Sequence, residues 1–294
     1  IGNLNNHIGV PLTLLSMNAD TEVGVVEMGA NHANEIALLC SIAKPNVGYI
    51  TNFGKAHLEG FGSEQGVVVA KSELYDYLKA NKGLIIMNSD DAKQEKQVGQ
   101  YSNTFSFSEY KQASINISLL DSQPFLNVSL VDIVIKTNLV GVYNFHNIAA
   151  ALAVGSFFNL TPQQLKSGIE AYVPANNRSQ IIQQNSNQIL LDAYNANPSS
   201  MEVALENFKG TQNSNKLAIL GDMFELGANS AKEHLEIVNQ AILTKGCVFY
   251  FIGSLFFEQK IAHSTFLFFE TFKELQSHLE EITISNTSIL IKGS

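Results

Sequence analysis

An α/β fold of two domains, each built on a mostly parallel sheet, is predicted by three observations on this 294-residue sequence. Short β-branched runs alternate with longer helical patterns, as in βαβ units. The strand candidates are nearly all apolar, which suits strands buried on both faces. The alternation breaks once, at Val173-Pro174-Ala175-Asn176-Asn177, and then restarts. A proline with turn formers directly after a helix marks a boundary, so domains are expected over 1–174 and 175–294.

In the first domain, strands are predicted over 23–27, 47–51 and 84–87, and helices over 35–43 and 63–78. The second helix opens on Ser63 and carries Val67, Val68, Leu74, Tyr75 and Leu78 at helical spacing. From 114 to 139 the pattern changes to period two with few helix formers, which predicts antiparallel strands. Helix returns over 145–158, and Thr161-Pro162 supplies an N-cap and a first-turn proline for a helix to about 172. Beyond the boundary the pattern reads strand 188–192, helix 198–208, strand 217–220, helix 231–243, strand 248–252, helix 271–282 and strand 288–291. That succession predicts a doubly wound, Rossmann-like domain.

Composition narrows the function. The length fits one large or two ordinary domains, and 45% hydrophobic residues can fill a packed core. Its 18 Lys+Arg against 27 Asp+Glu, a net charge of −9, leave no basic stripe to neutralise phosphates, which argues against a nucleic-acid binder. Cys40 and Cys247 are too few for a disulfide framework or a cysteine-based zinc site, which fits a reducing compartment. No apolar run approaches the ~20 residues that span a bilayer, and Ile1-Gly2-Asn3-Leu4 does not open a signal peptide. A cytoplasmic protein is expected. The missing initiator Met, and an end at Lys292-Gly293-Ser294 directly after an apolar strand, fit a piece of a longer protein.

Open parallel sheets bind ligands at the carboxyl ends of their strands, so polar residues there come first. Glu27 ends one predicted strand and is followed by Met28-Gly29-Ala30-Asn31-His32; another ends at Thr51-Asn52-Phe53-Gly54, with His57 a few residues on. A solvated carboxylate and a structural histidine are the plain readings. If the two strands are neighbours, Glu27 and His57 converge and can hold a divalent metal. Lys71 lies among Val67, Val68, Val69, Ala70 and Leu74; it either snorkels to solvent or is buried and chemically adapted. In Leu191-Asp192-Ala193-Tyr194-Asn195-Ala196-Asn197-Pro198-Ser199-Ser200-Met201, Pro198 suits a first turn and Ser199 with Glu202 has capping-box spacing. Asp192 and two asparagines exceed what a cap needs, and their density favours ligand contact. Arg178 is either a surface arginine or a donor that reaches a phosphate.

Taken together, these motifs resemble the Mur ligase family. The matching stretches are Asn5-Asn6-His7-Ile8-Gly9-Val10-Pro11-Leu12-Thr13, Glu27-Met28-Gly29-Ala30-Asn31, Ala56-His57-Leu58-Glu59-Gly60-Phe61-Gly62, Ala70-Lys71-Ser72-Glu73, Tyr194-Asn195-Ala196-Asn197-Pro198 and Leu220-Gly221-Asp222-Met223-Phe224-Glu225-Leu226-Gly227. They run in the family's order, and the last two look specific to the branch that joins D-alanyl-D-alanine to UDP-N-acetylmuramoyl-tripeptide. The resemblance implies an ATP-dependent amide ligase that works through an acyl phosphate, with a central ATPase domain followed by the Rossmann-like one. It assigns Glu27 and His57 to magnesium near the γ-phosphate. Lys71 would be N-carboxylated and help hold a second magnesium. Asn144 and Asn147 match adenine-side asparagines, Arg178 an arginine on the ATP phosphates, and Asp192 an acidic residue near the nucleotide, with Asn195 beside it in the same turn. A monomer is expected.

Three departures stand against the family pattern. Where Gly-x-His-Asn is common this chain has Gly141-Val142-Tyr143-Asn144, so Tyr143 would stack on the base differently. The Gly-rich phosphate loop ending in Lys-Thr or Lys-Ser and the domain that grips the UDP sugar are not in this stretch, so the stretch alone is expected to lack ligase activity. Two alternatives stay open: a folylpolyglutamate or cyanophycin synthetase-like ligase, and a non-catalytic binding module if the whole protein also lacks the loop.

Overall fold

The computed structural model describes residues 4–54, 58–123, 125–175, 177–211 and 213–294, Leu58 by its backbone alone. Its contacts form two compact units. The first comprises Ile1–Ser118, Leu130–Ile133 and His146–Leu165; the second comprises Leu119–Ser129, Val134–Phe145 and Lys166–Ser294.

Chain order begins with helices α1 (Gly9–Leu15) and α2 (Glu35–Ala43), strand β1 (Val47–Tyr49), helices α3 (Leu58–Phe61) and α4 (Glu64–Ala80), strand β2 (Leu84–Asn88), helix α5 (Ala92–Val98) and strand β3 (Thr104–Ser108). Strands β4 (Ile115–Asp121), β5 (Asn127–Leu130) and β6 (Ile133–Lys136) follow, then helices α6 (Phe145–Phe157) and α7 (Pro162–Ala171). The first sheet has the order β1-β2-β3-β4-β5-β6. β1 to β4 pair in parallel, so the expectation of antiparallel strands from 114 on fails at its first strand. The two-residue link between β5 and β6, with Val131 at φ 55°, permits only an antiparallel pair. Tyr75 and Leu78 of α4 pack with Ile85 and Met87 of β2, which explains the apolar spacing read from the sequence. Ser63 caps α4 as predicted, accepting from the Gly66 N–H at 3.0 Å.

The expected strand over 23–27 is not formed. Val23 and Val25 are exposed, Val25 at 82%, while Val26, Met28 and Ala30 pack beside Val10, Ile36, Leu39 and Cys40. Its β-branched composition favours extended backbone. A strand also needs a hydrogen-bonded neighbour, and among the described residues none lies beside it.

The second sheet continues with β7 (Gln180–Gln184), β8 (Asn187–Asp192), α8 (Pro198–Lys209), β9 (Lys216–Gly221), α9 (Ser230–Ile242), β10 (Cys247–Ile252), α10 (Ser254–Phe257), β11 (Phe266–Phe269), α11 (Phe272–Glu281) and β12 (Ser288–Lys292). Its order is β11-β10-β9-β12-β8-β7. All pairs are parallel except β7 with β8. Side chains alternate across it. Ala218 and Leu220 of β9 and Phe249 and Phe251 of β10 face α8 and α9, whereas Leu217 and Tyr250 face Leu275 of α11. Helices therefore cover both faces, the doubly wound arrangement the sequence predicts.

Candidate functional site

Glu27 stands in the extended segment before α2, with its side chain exposed. Its Oε1 accepts from Asn5 Nδ2 at 3.0 Å, and Gly29 N–H donates to the Asn5 carbonyl at 2.8 Å. The next turn is held by Glu35, whose carboxylate accepts the N–H groups of Asn31 and His32 at 2.8 and 3.0 Å. Burial acts to raise the Glu35 pKa, but those two backbone donors, with His32 nearby, hold it below the ordinary carboxylate value. Asn31 in turn meets α3: a Cβ on Gly60 would lie 1.9 Å from the Asn31 carbonyl oxygen. Gly60 of α3 and the loop after Glu27 are thus in direct contact. His57 itself lies outside the described residues.

Lys71 sits about two turns into α4. Its Nζ donates to the Asn52 carbonyl at 2.7 Å, in the polar segment that follows β1. Burial lowers the amine's pKa, because a desolvated ammonium is penalised relative to the neutral amine. Two residues on, Glu73 accepts from the N–H groups of Asn34 and Ala37 at 2.7 and 2.8 Å. Asn34 is the left-handed N-cap of α2 and makes no cap with its own side chain, so a carboxylate from α4 supplies the missing acceptor. Sequence reasoning missed this role; a separation of 39 residues leaves no local signal.

Among the described residues no three His, Cys, Asp or Glu side chains converge as a metal site. Glu27 offers a solvent-facing carboxylate, the hard oxygen type that magnesium takes. Asn144 is buried in a short 3-10 turn and gives its amide to the Val140 carbonyl at 2.8 Å. Asn147 is exposed in the first turn of α6.

In the second unit, Arg178 is exposed with its guanidinium carbon 3.8 Å from the centre of the Tyr194 ring. Both carboxylate oxygens of Asp192 are engaged: Oδ1 accepts Ser179 N–H at 3.1 Å and Oδ2 accepts Lys292 Nζ at 2.5 Å. Asn195 accepts from Ser294 Oγ at 3.0 Å. The cap of α8 corrects the sequence reading. Asn197, not Ser199, is the N-cap, and it forms a capping box with Ser200, with Pro198 in the first turn. The Leu220 to Gly227 motif turns out to be an anchor. Asp222 accepts from Leu255 and Phe256 N–H groups at 3.0 and 2.9 Å, while Met223 N–H donates to Nε2 of the fully buried His234.

Two family profiles match the sequence: the Mur ligase middle domain over residues 1–155 and the Mur ligase, glutamate ligase domain over residues 177–294. The chain is 32% identical over 238 residues to the UDP-N-acetylmuramoyl-tripeptide--D-alanyl-D-alanine ligase of Bacillus subtilis (strain 168), covering 80% of this chain and 52% of the relative. It is 31% identical to the ligase of the same name from Rickettsia prowazekii (strain Madrid E) over 312 residues, covering 100% of this chain and 68% of that one. It thus spans about half to two thirds of these relatives. Among solved structures, a MurF from Acinetobacter baumannii superposes with a TM-score of 0.86 at 28% identity, covering 100% of this chain and 66% of that one. A MurF ligase from Thermotoga maritima in complex with ADP gives 0.85 at 24% identity, with 100% and 69% covered, a likeness of fold. Among the described residues no helix is long and apolar enough to cross a membrane.

Proposed function

The chain belongs to the Mur ligase family, and on that premise we propose that it carries the nucleotide-side machinery of an ATP-dependent ligase. The reaction joins D-alanyl-D-alanine to UDP-N-acetylmuramoyl-tripeptide in the cytoplasm, as a step of peptidoglycan synthesis and cell-wall biogenesis. The domains are 1–174 and 175–294, a division supported by profile matches that end at 155 and restart at 177. The protein acts as a monomer.

ATP phosphorylates the terminal carboxylate of the tripeptide, the amine of D-alanyl-D-alanine attacks the acyl phosphate, and phosphate leaves. Two magnesium ions, when bound, neutralise charge on the transferring phosphoryl group. Glu27 and His57 are the ligands for one of them, and an N-carboxylated Lys71 supports the other. Arg178 meets phosphate charge, Asn144 and Asn147 lie on the adenine side, and Asp192 and Asn195 shape the turn beside the nucleotide. The observation that carries the reading is the placement of Lys71, whose Nζ lies 2.7 Å from the Asn52 carbonyl in the polar segment after β1. Addition of carbon dioxide needs an unprotonated amine, and burial holds the Lys71 amine's pKa down, so the reactive form is more accessible than in an exposed lysine.

The test uses the whole protein with ATP, magnesium and UDP-N-acetylmuramoyl-tripeptide, reading phosphate release that depends on D-alanyl-D-alanine. Lys71→Ala is expected to abolish release, with partial rescue by a small carboxylate that refills the site. Release that requires glutamate instead of D-alanyl-D-alanine would overturn the substrate assignment. An unimpaired Lys71→Ala protein would overturn the role of the lysine.

A further inference from the structure

The antiparallel pair β7 and β8 ends with Gln180 opposite Leu191. One step beyond, Ser179 and Asp192 would face each other, but the backbone leaves the ladder there: Ser179 has φ 48° and Asn177 has φ 59°. Left-handed backbone at two non-glycine residues so close together persists only where the surroundings over-determine it. Here they do. Ser179 is buried; its N–H donates to Asp192 Oδ1 at 3.1 Å, and its hydroxyl lies 2.6 Å from the Tyr143 hydroxyl. Asp192 is fixed from its other oxygen by Lys292, which is 2% exposed and reaches it from the register position directly across β12. Burial and the Asp192 charge push the Tyr143 phenol up to about 12, against a small opposing effect of Ser179. The hydroxyl therefore keeps its proton and the hydrogen bond.

Between the two ends of this chain of contacts stand Arg178, one residue before Ser179, and Tyr194, two residues after Asp192. We propose that Tyr143, Ser179, Asp192 and Lys292 form a clamp whose product is the placement of Arg178 over the Tyr194 ring, and that Lys292 and Tyr143 are positioning residues acting through it. The clamp gives Asp192 its work within the protein, and it gives Tyr143 a polar partner where the family pattern more often has histidine. The proposal rests on the reading that Arg178 meets ATP phosphate.

The experiment measures kcat and KM for ATP in the whole protein for Lys292→Met, Tyr143→Phe, Arg178→Ala and the double variant Lys292→Met/Arg178→Ala. Lys292→Met is expected to cost roughly tenfold in kcat/KM for ATP, and less than about twofold once Arg178 is already alanine. Equal losses in both backgrounds would overturn the clamp, because a general loss of stability does not depend on Arg178. Tyr143→Phe removes one oxygen and keeps the ring, so it serves where Lys292→Met fails to fold. The second arm is arginine-selective NMR: Arg178 side-chain protons over the Tyr194 face carry an upfield ring-current shift. That shift is expected to fall toward free-arginine values in Tyr143→Phe, and an unchanged shift would overturn the clamp. If Arg178→Ala keeps full turnover, the phosphate reading fails, while the NMR arm still judges the clamp.

Discussion

Gly60 and Asn31 approach so closely that a methyl group on Gly60 would stand 1.9 Å from the Asn31 carbonyl oxygen. The contact joins α3, at the end of the His57 segment, to the loop that follows Glu27. Backbone oxygen cannot swing aside as a flexible side chain would. Gly60→Ala is therefore expected to destabilise the first unit by about 1 to 3 kcal/mol, the usual cost of overpacking, read as a lower urea midpoint. An unchanged midpoint would mean that the two loops part at no cost.

Glu73 is the cap of a helix it does not belong to. Glu73→Ala leaves the Asn34 and Ala37 N–H groups without their acceptor and is expected to cost about 1 to 2 kcal/mol, the upper range for a lost N-cap. Glu73→Gln keeps one acceptor oxygen and should fall between. Thermal melts of the three proteins give the order directly; equal melting temperatures would remove the capping role.

The Lys71 amine has its pKa held below the ordinary 10.5 by burial. The folded state releases this proton more easily than the unfolded chain, so in the window below 10.5 the unfolded state binds more protons and stability rises with pH. The cost of the buried charge is fully present below the folded pKa and is relieved as pH climbs through it. Wild-type protein should accordingly gain stability relative to Lys71→Met between about pH 7 and about pH 10. Denaturant titrations at the two pH values test this, and a gap that stays constant would place the amine in water.

Arg178 is exposed and makes no ion pair among the described residues. Arg178→Ala should leave the melting temperature of the ligand-free protein nearly unchanged. Loss of a charge-assisted contact in a dry site, on the order of 2 to 4 kcal/mol, corresponds to roughly a 30- to 1000-fold fall in turnover. Wild-type turnover at saturating ATP would reduce Arg178 to a surface residue.

Much of this architecture was legible from side-chain spacing. Ser63 and the α4 stripe, Pro162 opening α7, and β8, β9, β10 and β12 of the second sheet follow from local patterning and caps. The strand at 23–27 was misread because Val23, Val25 and Val26 report only a preference for extended backbone, whereas a ladder depends on a neighbour far off in sequence. Short elements such as β7 and β11 lack enough periods to stand out. At the site, Glu27 showed itself as a carboxylate at a predicted strand end, Lys71 as a cation among apolar neighbours and Arg178 as a charged residue just after the linker. Ser179 and Lys292 did not, because each acquires its importance from a partner that only the folded register brings to it.

The last strand made by this chain is not the last strand of its sheet. β12 lies between β9 and β8, so until residues 288–292 have been synthesised the β7–β8 hairpin and the β9–β10–β11 group share no edge. Both would then present open backbone donors and acceptors on the sides that later meet, the state in which strands pair with the wrong chain. The Asp192–Lys292 pair closes across 100 residues, a long loop to order before any contact rewards it. During synthesis this sheet is therefore joined late: its two partial sheets wait for one five-residue strand that fuses them, and a chain cut short before Ser288 would leave them unjoined.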